Sequence, residues 1–181
     1  MAAPSPALPY GVREIKLIPL TGAVEGTAVA LPVSRTLTFK ESEDFEQLEG
    51  DDTIAAVHGK GPLVDWELEA GGISLAAWKV LSGGTVTTSG TSPNEIVSLK
   101  KNALDARPYF KIIGRSIGDS GGDFYVIIER AKVTGDLEGE LSNGAFMLTN
   151  CSGQGIGATD DGDLWEFLVH ETAVDITTYL T

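Results

Sequence analysis

Residues 63–69, Leu63-Val64-Asp65-Trp66-Glu67-Leu68-Glu69, alternate strictly between apolar and acidic side chains after the leading leucine. Successive side chains of a β-strand point to opposite faces of its sheet, so this period of two predicts a strand with one buried face and one hydrated face. The apolar members would face a core, while the three acids, Asp65, Glu67 and Glu69, would face water. We therefore predict an exposed row of carboxylates, which would repel polyanions.

The segment before this strand is also rich in acid. Lys60 is the only Lys or Arg in residues 41–62, and the apolar residues there follow no clean period. We therefore predict a long loop over about 41–62, in which residues 54–58 form a short strand or a helical turn. A soluble sheet usually carries charges of both signs, so a single sign indicates either a functional electrostatic field or metal ligation. The acids of this segment are Glu41, Glu43, Asp44, Glu46, Glu49, Asp51 and Asp52.

Composition limits the class of protein. The chain has 181 residues, which favours one domain spanning residues 1–181 with a single core. Its net charge of −13 argues against binding nucleic acid through the phosphates, which requires clustered Lys and Arg. The single cysteine excludes an internal disulfide framework. With no apolar run long enough to span a bilayer and no signal-peptide pattern, we expect a soluble protein of a reducing compartment.

The rest of the sequence predicts a mainly β fold. Ser74 can cap a helix, Leu75 and Trp78 recur at helical spacing and Gly83 can end it, so one short α-helix is expected at about 74–81. Glycines cluster at the turns, which favours an antiparallel β-sandwich or barrel with this helix on its flank. Pro-rich residues 1–10 are predicted to form an extended arm. The other predicted strands are 12–19, 27–32, 35–40, 85–88, 95–99, 109–117, 124–133, 145–151 and 164–171.

Two of these strands carry further information. Residues 124–128 are apolar on both faces, which predicts cover on both sides, from the helix or from a neighbouring subunit. Residues 118–122, Gly-Asp-Ser-Gly-Gly, are predicted to be the tip of a hairpin.

The sequence offers little for catalysis. His58 and His170 are the only histidines and have no metal-ligand spacing, while Cys151 at a strand end is typical of a small buried hydrophobe. The glycine-rich run 153–157 lacks the Lys-Ser/Thr ending of a phosphate-binding loop and is interpreted as a loop or a glycine-rich strand. The acids of residues 159–163 lack the spacing of a calcium loop and are interpreted as a hydrated turn. We expect no catalytic residue, no metal and no cofactor.

The chain resembles the major tail tube proteins of long-tailed bacteriophages. The resemblance is carried by residues 36–52, the acidic strand after them, residues 69–75 leading into the short helix, the late hairpin at 131–146 and the closing strand at 164–172. It extends over about residues 12–175, and the order of these elements carries it.

The resemblance implies a structural virion protein, assembled in the host cytoplasm and located in the tail. Subunits of this family form hexameric rings that stack into a hollow tube, whose inner β-barrel conducts genomic DNA without binding it specifically. Other tail proteins, namely the tape measure, tail tip and terminator proteins, would be partners, and no membrane is involved. The loop at 41–62 would reach an adjacent ring, and its candidate contacts are Glu43, Asp44, Glu46, Glu49, Asp51 and Asp52. The arm at 1–10 and the tail at 173–181 would act similarly.

Lumen and interface residues can also be proposed on this basis. Asp65, Glu67 and Glu69 are the candidates for the lumen, with Thr36, Thr38 and Lys40 on the partner strand. The candidates for the subunit interface are Lys111, Arg115, Arg130 and Lys132.

Three alternatives remain open. A secretion-system tube protein would share the architecture and differ in cargo. A ligand- or carbohydrate-binding β-sandwich would usually expose aromatic side chains on a strand face, whereas Trp66, Trp78 and Trp165 all fall on faces predicted to be buried. A hydrolase would need paired carboxylates in a pocket, whereas residues 65–69 space their acids along a flat strand.

Overall fold

The computed structural model describes residues 8–50, 53–119, 122–172, 174 and 176. These residues form eleven strands and one α-helix. The strands are β1 (Pro9–Thr21), β2 (Val24–Glu25), β3 (Val29–Ala30), β4 (Val33–Gly50), β5 (Thr53–Gly71), β6 (Thr85–Ser89), β7 (Ile96–Lys100), β8 (Tyr109–Gly118), β9 (Asp123–Gly139), β10 (Leu148–Ile156) and β11 (Trp165–His170). The helix α1 is Leu75–Ser82.

Nine of the strands form one antiparallel sheet in the order β2-β1-β8-β9-β10-β5-β4, with β3 paired to β1 and β11 paired to β9. β9 is long enough to change partners, since β11 pairs with its first half and β10 with its second. The sheet thereby folds over on itself. Leu37 of β4 lies against Gly114 of β8, where an added Cβ would stand 2.6 Å from the Leu37 side chain.

The main core lies between the two halves of this folded sheet. Trp66 of β5 and Phe110 of β8 meet at its centre, with ring centroids 5.7 Å apart and an interplanar angle of 77°. Edge-to-face contact of this kind suits the quadrupoles of two aromatic rings. The predicted alternation of β5 is confirmed, because Val64, Trp66 and Leu68 are buried in this core. The mainly β class with one short helix is confirmed as well.

The helix follows its predicted capping residues. The Ser74 hydroxyl accepts a hydrogen bond from the Ala77 amide at 3.3 Å, and the Gly83 amide donates to the Lys79 carbonyl at 2.9 Å. Gly83 has φ of 82°, a conformation that favours glycine, so it ends the helix. Ala77, Val80 and Leu81 are buried against the core. No described helix is both long enough and apolar enough to span a membrane.

A second apolar cluster covers the opposite side of β9. Tyr125 and Ile127 pack there with Ile18, Ile113 and Ile176. The prediction of cover on both sides of residues 124–128 is therefore confirmed. Within the chain, this second cluster is formed by other strands and Ile176, while the helix residues Val80 and Leu81 share the main core with Ile128. Cover from a neighbouring subunit stays a prediction.

Several element boundaries differ from prediction. The predicted strand at 27–32 contains only the two residues of β3, between Gly26 and Pro32. β10 runs through Ile156 and so includes most of the glycine-rich run 153–157, which confirms the strand interpretation over a loop. Gly153 has no room for a side chain there, because an added Cβ would lie 2.1 Å from the Lys132 carbonyl oxygen and 2.6 Å from Trp66.

The largest difference concerns residues 41–62. They form no long loop, since β4 continues to Gly50 and β5 begins at Thr53, and the two strands pair antiparallel. Register shifts at Glu43/Phe45 and Leu48/Glu49 interrupt the alternation. A bulge adds a residue to one strand and breaks the period of two, which explains why the sequence pattern looked irregular. The short strand at 54–58 is confirmed as part of β5. The predictions for residues 1–7, 51–52, 120–121 and most of 173–181 lie outside the described residues.

Candidate functional site

One side of β9, β10, β5 and β4 forms a polar sheet face, which we call the polar face. Glu67 of β5 is at its centre, with Thr38 of β4 opposite on one side and Ser152 of β10 on the other. The candidate acids Asp65 and Glu69 flank it on the same strand. The other cross-strand neighbours are Thr36, Lys40, Asn150 and Gln154. Thr36, Thr38 and Lys40 thus lie on the strand partnered to the acids, as predicted.

Two of the three acids make side-chain contacts with other residues of the chain. Asp65 accepts hydrogen bonds from the Ser42 hydroxyl at 3.1 Å and from the Gln154 amide at 3.0 Å. Glu69 forms an ion pair with Arg35 at 2.7 Å. Glu67 is exposed and makes no ion pair with any residue that the structure describes.

The polar face is concave and its acids lie towards one end. Asp136 and Glu138 of β9 join Glu67 and Glu69 around a cavity of about 400 Å³. A second cavity of about 490 Å³ adjoins it around Lys40 and Asp65. The three predicted acids share this face, but the face as a whole carries both signs, because Lys40 lies opposite Asp65 and Arg35 pairs with Glu69. The sequence pattern of β5 alone could not show which cations its neighbours contribute.

The most unusual feature is the hairpin formed by residues 42–50 of β4 and 53–62 of β5, which we call the arm. β10 pairs with β5 only from Val64 onward, so the arm is two-stranded. At ~3.3 Å per residue it is about 30 Å long. Its candidate contact residues Glu43, Asp44, Glu46 and Glu49 are all exposed, whereas Asp51 and Asp52 lie outside the described residues.

The arm has an apolar face. Directly paired residues point to the same side, and the pairs Phe45/Gly59, Gln47/Val57 and Glu49/Ile54 share one side. Phe45, Ile54 and Val57 are 61, 57 and 57 % exposed on that side. On the other side Leu48 pairs with Ala56 and is also exposed. A two-stranded hairpin is marginally stable in water, and exposed apolar side chains indicate an interaction surface.

Two predicted interface residues make contacts within the chain. Lys111 forms ion pairs with Glu25 and with Glu129, the latter at 2.8 Å. Burial alone would lower the pKa of Lys111, but the hydrogen bonds to these two carboxylates outweigh it, so the pKa is raised. Arg115 donates to Asp123 at 3.0 and 2.7 Å across the β8–β9 hairpin. Their role between subunits stays a prediction.

The other two interface candidates, Arg130 and Lys132, lie on β9 beside Tyr109. The Arg130 guanidinium carbon is 4.2 Å and the Lys132 amine 4.8 Å from the centroid of the Tyr109 ring. Cations over an aromatic face are stabilised by its quadrupole. Sequence spacing did not reveal this arrangement, because Tyr109 comes from a different strand.

Among the described residues, the cysteine and the two histidines lie far apart in the fold. Cys151 is buried in the core, and burial raises the pKa of its thiol to about 12, so it is protonated at neutral pH. His58 is exposed on the arm, paired with Glu46, while His170 is at the end of β11. Within the described ranges, no cluster of His, Cys, Asp and Glu is arranged to hold a metal.

One aromatic group contradicts the expectation of buried tryptophans. Trp66 is buried, but Trp165 and Phe167 of β11 are 36 and 43 % exposed, with ring centroids 4.6 Å apart. Phe39 and Phe124 pack on Phe167 at 5.6 and 5.3 Å. β11 pairs only with β9, so its other edge leaves these rings partly open to solvent. The Trp165 indole donates a 2.6 Å hydrogen bond to Glu41.

Comparison with known proteins adds no assignment. No protein-family model matches the chain, and no curated protein sequence matches it significantly.

Proposed function

We propose that this protein is a structural subunit of the phage tail tube kind, which forms hexameric rings that stack into a hollow tube and conduct DNA. The observation that carries the proposal is the arm, a two-stranded hairpin about 30 Å long with an exposed apolar face. Such a hairpin needs a partner surface to become stable. In a repeating assembly each arm would find the same surface on a neighbouring copy, so ring closure and stacking would satisfy all of them.

The energetics favour burial of the arm in an assembly. Phe45, Ile54 and Val57 are each already more than a third covered, so burying the remainder would contribute about 1–2 kcal/mol per side chain. Repetition around a ring would make the assembly far more stable than one contact.

The polar face is the candidate lining of the tube. Glu67, Asp136 and Glu138 would present carboxylates to a passing duplex, and carboxylates make no favourable contact with its phosphates. Screening over about 8 Å at physiological salt would keep the repulsion short-ranged. Lys40 on this face makes the lining weaker in charge than the sequence alone predicted.

Substitution of the apolar arm residues tests the proposal. We expect the triple variant Phe45→Ser, Ile54→Thr, Val57→Thr to fold normally, because these side chains are exposed in the subunit, and to lose self-association in sedimentation velocity. Leu48→Thr on the opposite side of the arm is the matched control and should associate more strongly than the triple variant. Equal association of wild type and triple variant would refute a role for the apolar face.

A ligand-binding module is the second candidate, and the exposed Trp165–Phe167 pair favours it. Aromatic rings on a strand face provide stacking surfaces for sugars. A glycan screen that finds no ligand sensitive to Trp165→Ala would remove this candidate.

A further inference from the structure

Tyr109 at the start of β8 carries two cations on one ring. The Arg130 guanidinium and the Lys132 amine lie 4.2 and 4.8 Å from the ring centroid, and we call these two side chains the cationic pair. Arg130 is the cross-strand partner of Ile156 in β10, and Lys132 is the partner of Gln154. Gln154 lies on the polar face, so both cations project on that side of the sheet. Like charges this close repel each other, and a bound anion would offset the repulsion.

The cationic pair has no anion within the described part of the chain. Neither Arg130 nor Lys132 forms an ion pair there, and the buried Arg130 Nε has no hydrogen-bond acceptor. The nearest acid in sequence, Glu129, is bound to Lys111 at 2.8 Å. Asp160 borders a small cavity of about 50 Å³ together with Arg130, but no ion pair joins them.

The arm carries carboxylates without cations. Glu43, Asp44 and Glu49 are exposed and make no ion pair with any described residue, while Glu46 is only 3.9 Å from Lys60. Arm and cationic pair therefore have complementary charge on one chain. In the sheet, β10 and β5 separate β9 from β4, and the arm extends beyond the end of β10. The arm carboxylates therefore reach the cationic pair of a second copy more readily than that of their own chain.

We infer that the cationic pair on Tyr109 receives the arm carboxylates of a second copy of this chain. The inference rests on the proposed function, because it names the receiving surface for the arm. Guanidinium and carboxylate form hydrogen bonds with defined geometry, so the contact would fix the orientation of the arm while its apolar face packs on the neighbour. Solvent-exposed ion pairs are screened by salt, so the association should weaken as salt rises.

Zero-length cross-linking of mixed light and heavy-isotope chains tests the contact directly. A carbodiimide joins a carboxylate to an amine, so we expect Lys132 to be linked to Glu43, Asp44 or Glu49 in peptides that combine one light and one heavy chain. Lys79 on α1 is the matched control amine, exposed and without an ion pair among the described residues, and should give no such link. Links from Lys132 confined to its own chain, or no link from Lys132 to the arm, would overturn the inference. Loss of the link on adding DNA, with DNA bound at Lys132, would assign the pair to phosphates instead.

A charge exchange separates this inference from the proposed function. The variant Arg130→Glu, Lys132→Glu and the variant Glu43→Lys, Asp44→Lys, Glu49→Lys should each associate about tenfold more weakly, and mixing them should restore association. If the wild type forms tubes or rings but mixing the two variants does not restore association, only the inference is refuted. A wild type that neither associates nor cross-links between chains would refute both.

Discussion

Asp123 at the start of β9 gives the sharpest test of the folded subunit. Its side chain is fully buried, and its Oδ2 accepts hydrogen bonds from Arg115 Nε and Nη2 at 3.0 and 2.7 Å and from the Val174 amide at 2.8 Å. The Tyr125 hydroxyl lies 3.2 Å from this oxygen and also contacts the Val174 carbonyl. One carboxylate oxygen therefore joins the β8–β9 hairpin to the chain at Val174. Truncation by Asp123→Ala would leave the half-buried Arg115 guanidinium without its anion.

The expected cost follows from this geometry. Removing one partner of a buried ion pair costs about 3–5 kcal/mol, a large part of the roughly 5–15 kcal/mol that stabilises a typical domain. The free energy of unfolding can be measured by urea titration with Trp fluorescence. Asp119→Ala, an exposed acid at the end of the same hairpin, is the control and should stay within about 0.5 kcal/mol of wild type.

A double-mutant cycle isolates the pair. Arg115→Ala combined with Asp123→Ala should cost less than the sum of the two single changes, by about 0.5–3 kcal/mol. If Asp123→Ala does not fold, Tyr125→Phe removes one buried hydroxyl and should cost about 1 kcal/mol. An Asp123→Ala protein within 1 kcal/mol of wild type would refute the reasoning.

Three further outcomes are expected. Under the proposed function, Glu67→Lys should leave tube assembly intact but slow DNA passage, because the change places a cation in the proposed lining; unchanged DNA delivery would remove Glu67 from that lining. Gly153→Ala should lower the melting temperature by several degrees, since an added Cβ would lie 2.1 Å from the Lys132 carbonyl oxygen, while Gly50→Ala, with no atom within 4 Å, should leave it nearly unchanged. Cys151, whose thiol pKa is raised to about 12 by burial, should react with a disulfide reagent at pH 8 only after denaturation; rapid reaction of the native protein would contradict its burial.

Local signals predicted much of the fold. The alternation at 63–69 gave the correct buried face because β5 is regular there and packs against the core. The helix could be predicted because the residues that flank it carry their own signals: Ser74 caps its start, and Gly83 is the residue type that favours the positive φ found at its end. The turn predicted at residues 118–122 agrees with the strand ends, since β8 ends at Gly118, β9 begins at Asp123, and the two strands pair directly.

Other features depend on tertiary structure. The arm was predicted as a loop because bulges interrupt its alternation and because neither of its faces is buried in the subunit. Trp165 lies at an apolar position of β11, yet the edge of the sheet leaves it partly exposed. The charge of the polar face and the cationic pair on Tyr109 depend on which strands are neighbours. Sequence pattern reports periodicity along one strand and contains no strand order.

Electron microscopy of the wild type, concentrated stepwise at moderate salt beside a variant that joins Ser42 to Gly61 in place of the arm residues 43–60, tests the central claim most directly. We predict hollow tubes or six-fold rings from the wild type, and isolated folded particles from the variant. Tubes from both proteins would show that the arm is not the contact between subunits. Isolated compact particles from the wild type at every concentration would contradict the account of this chain as a tube subunit.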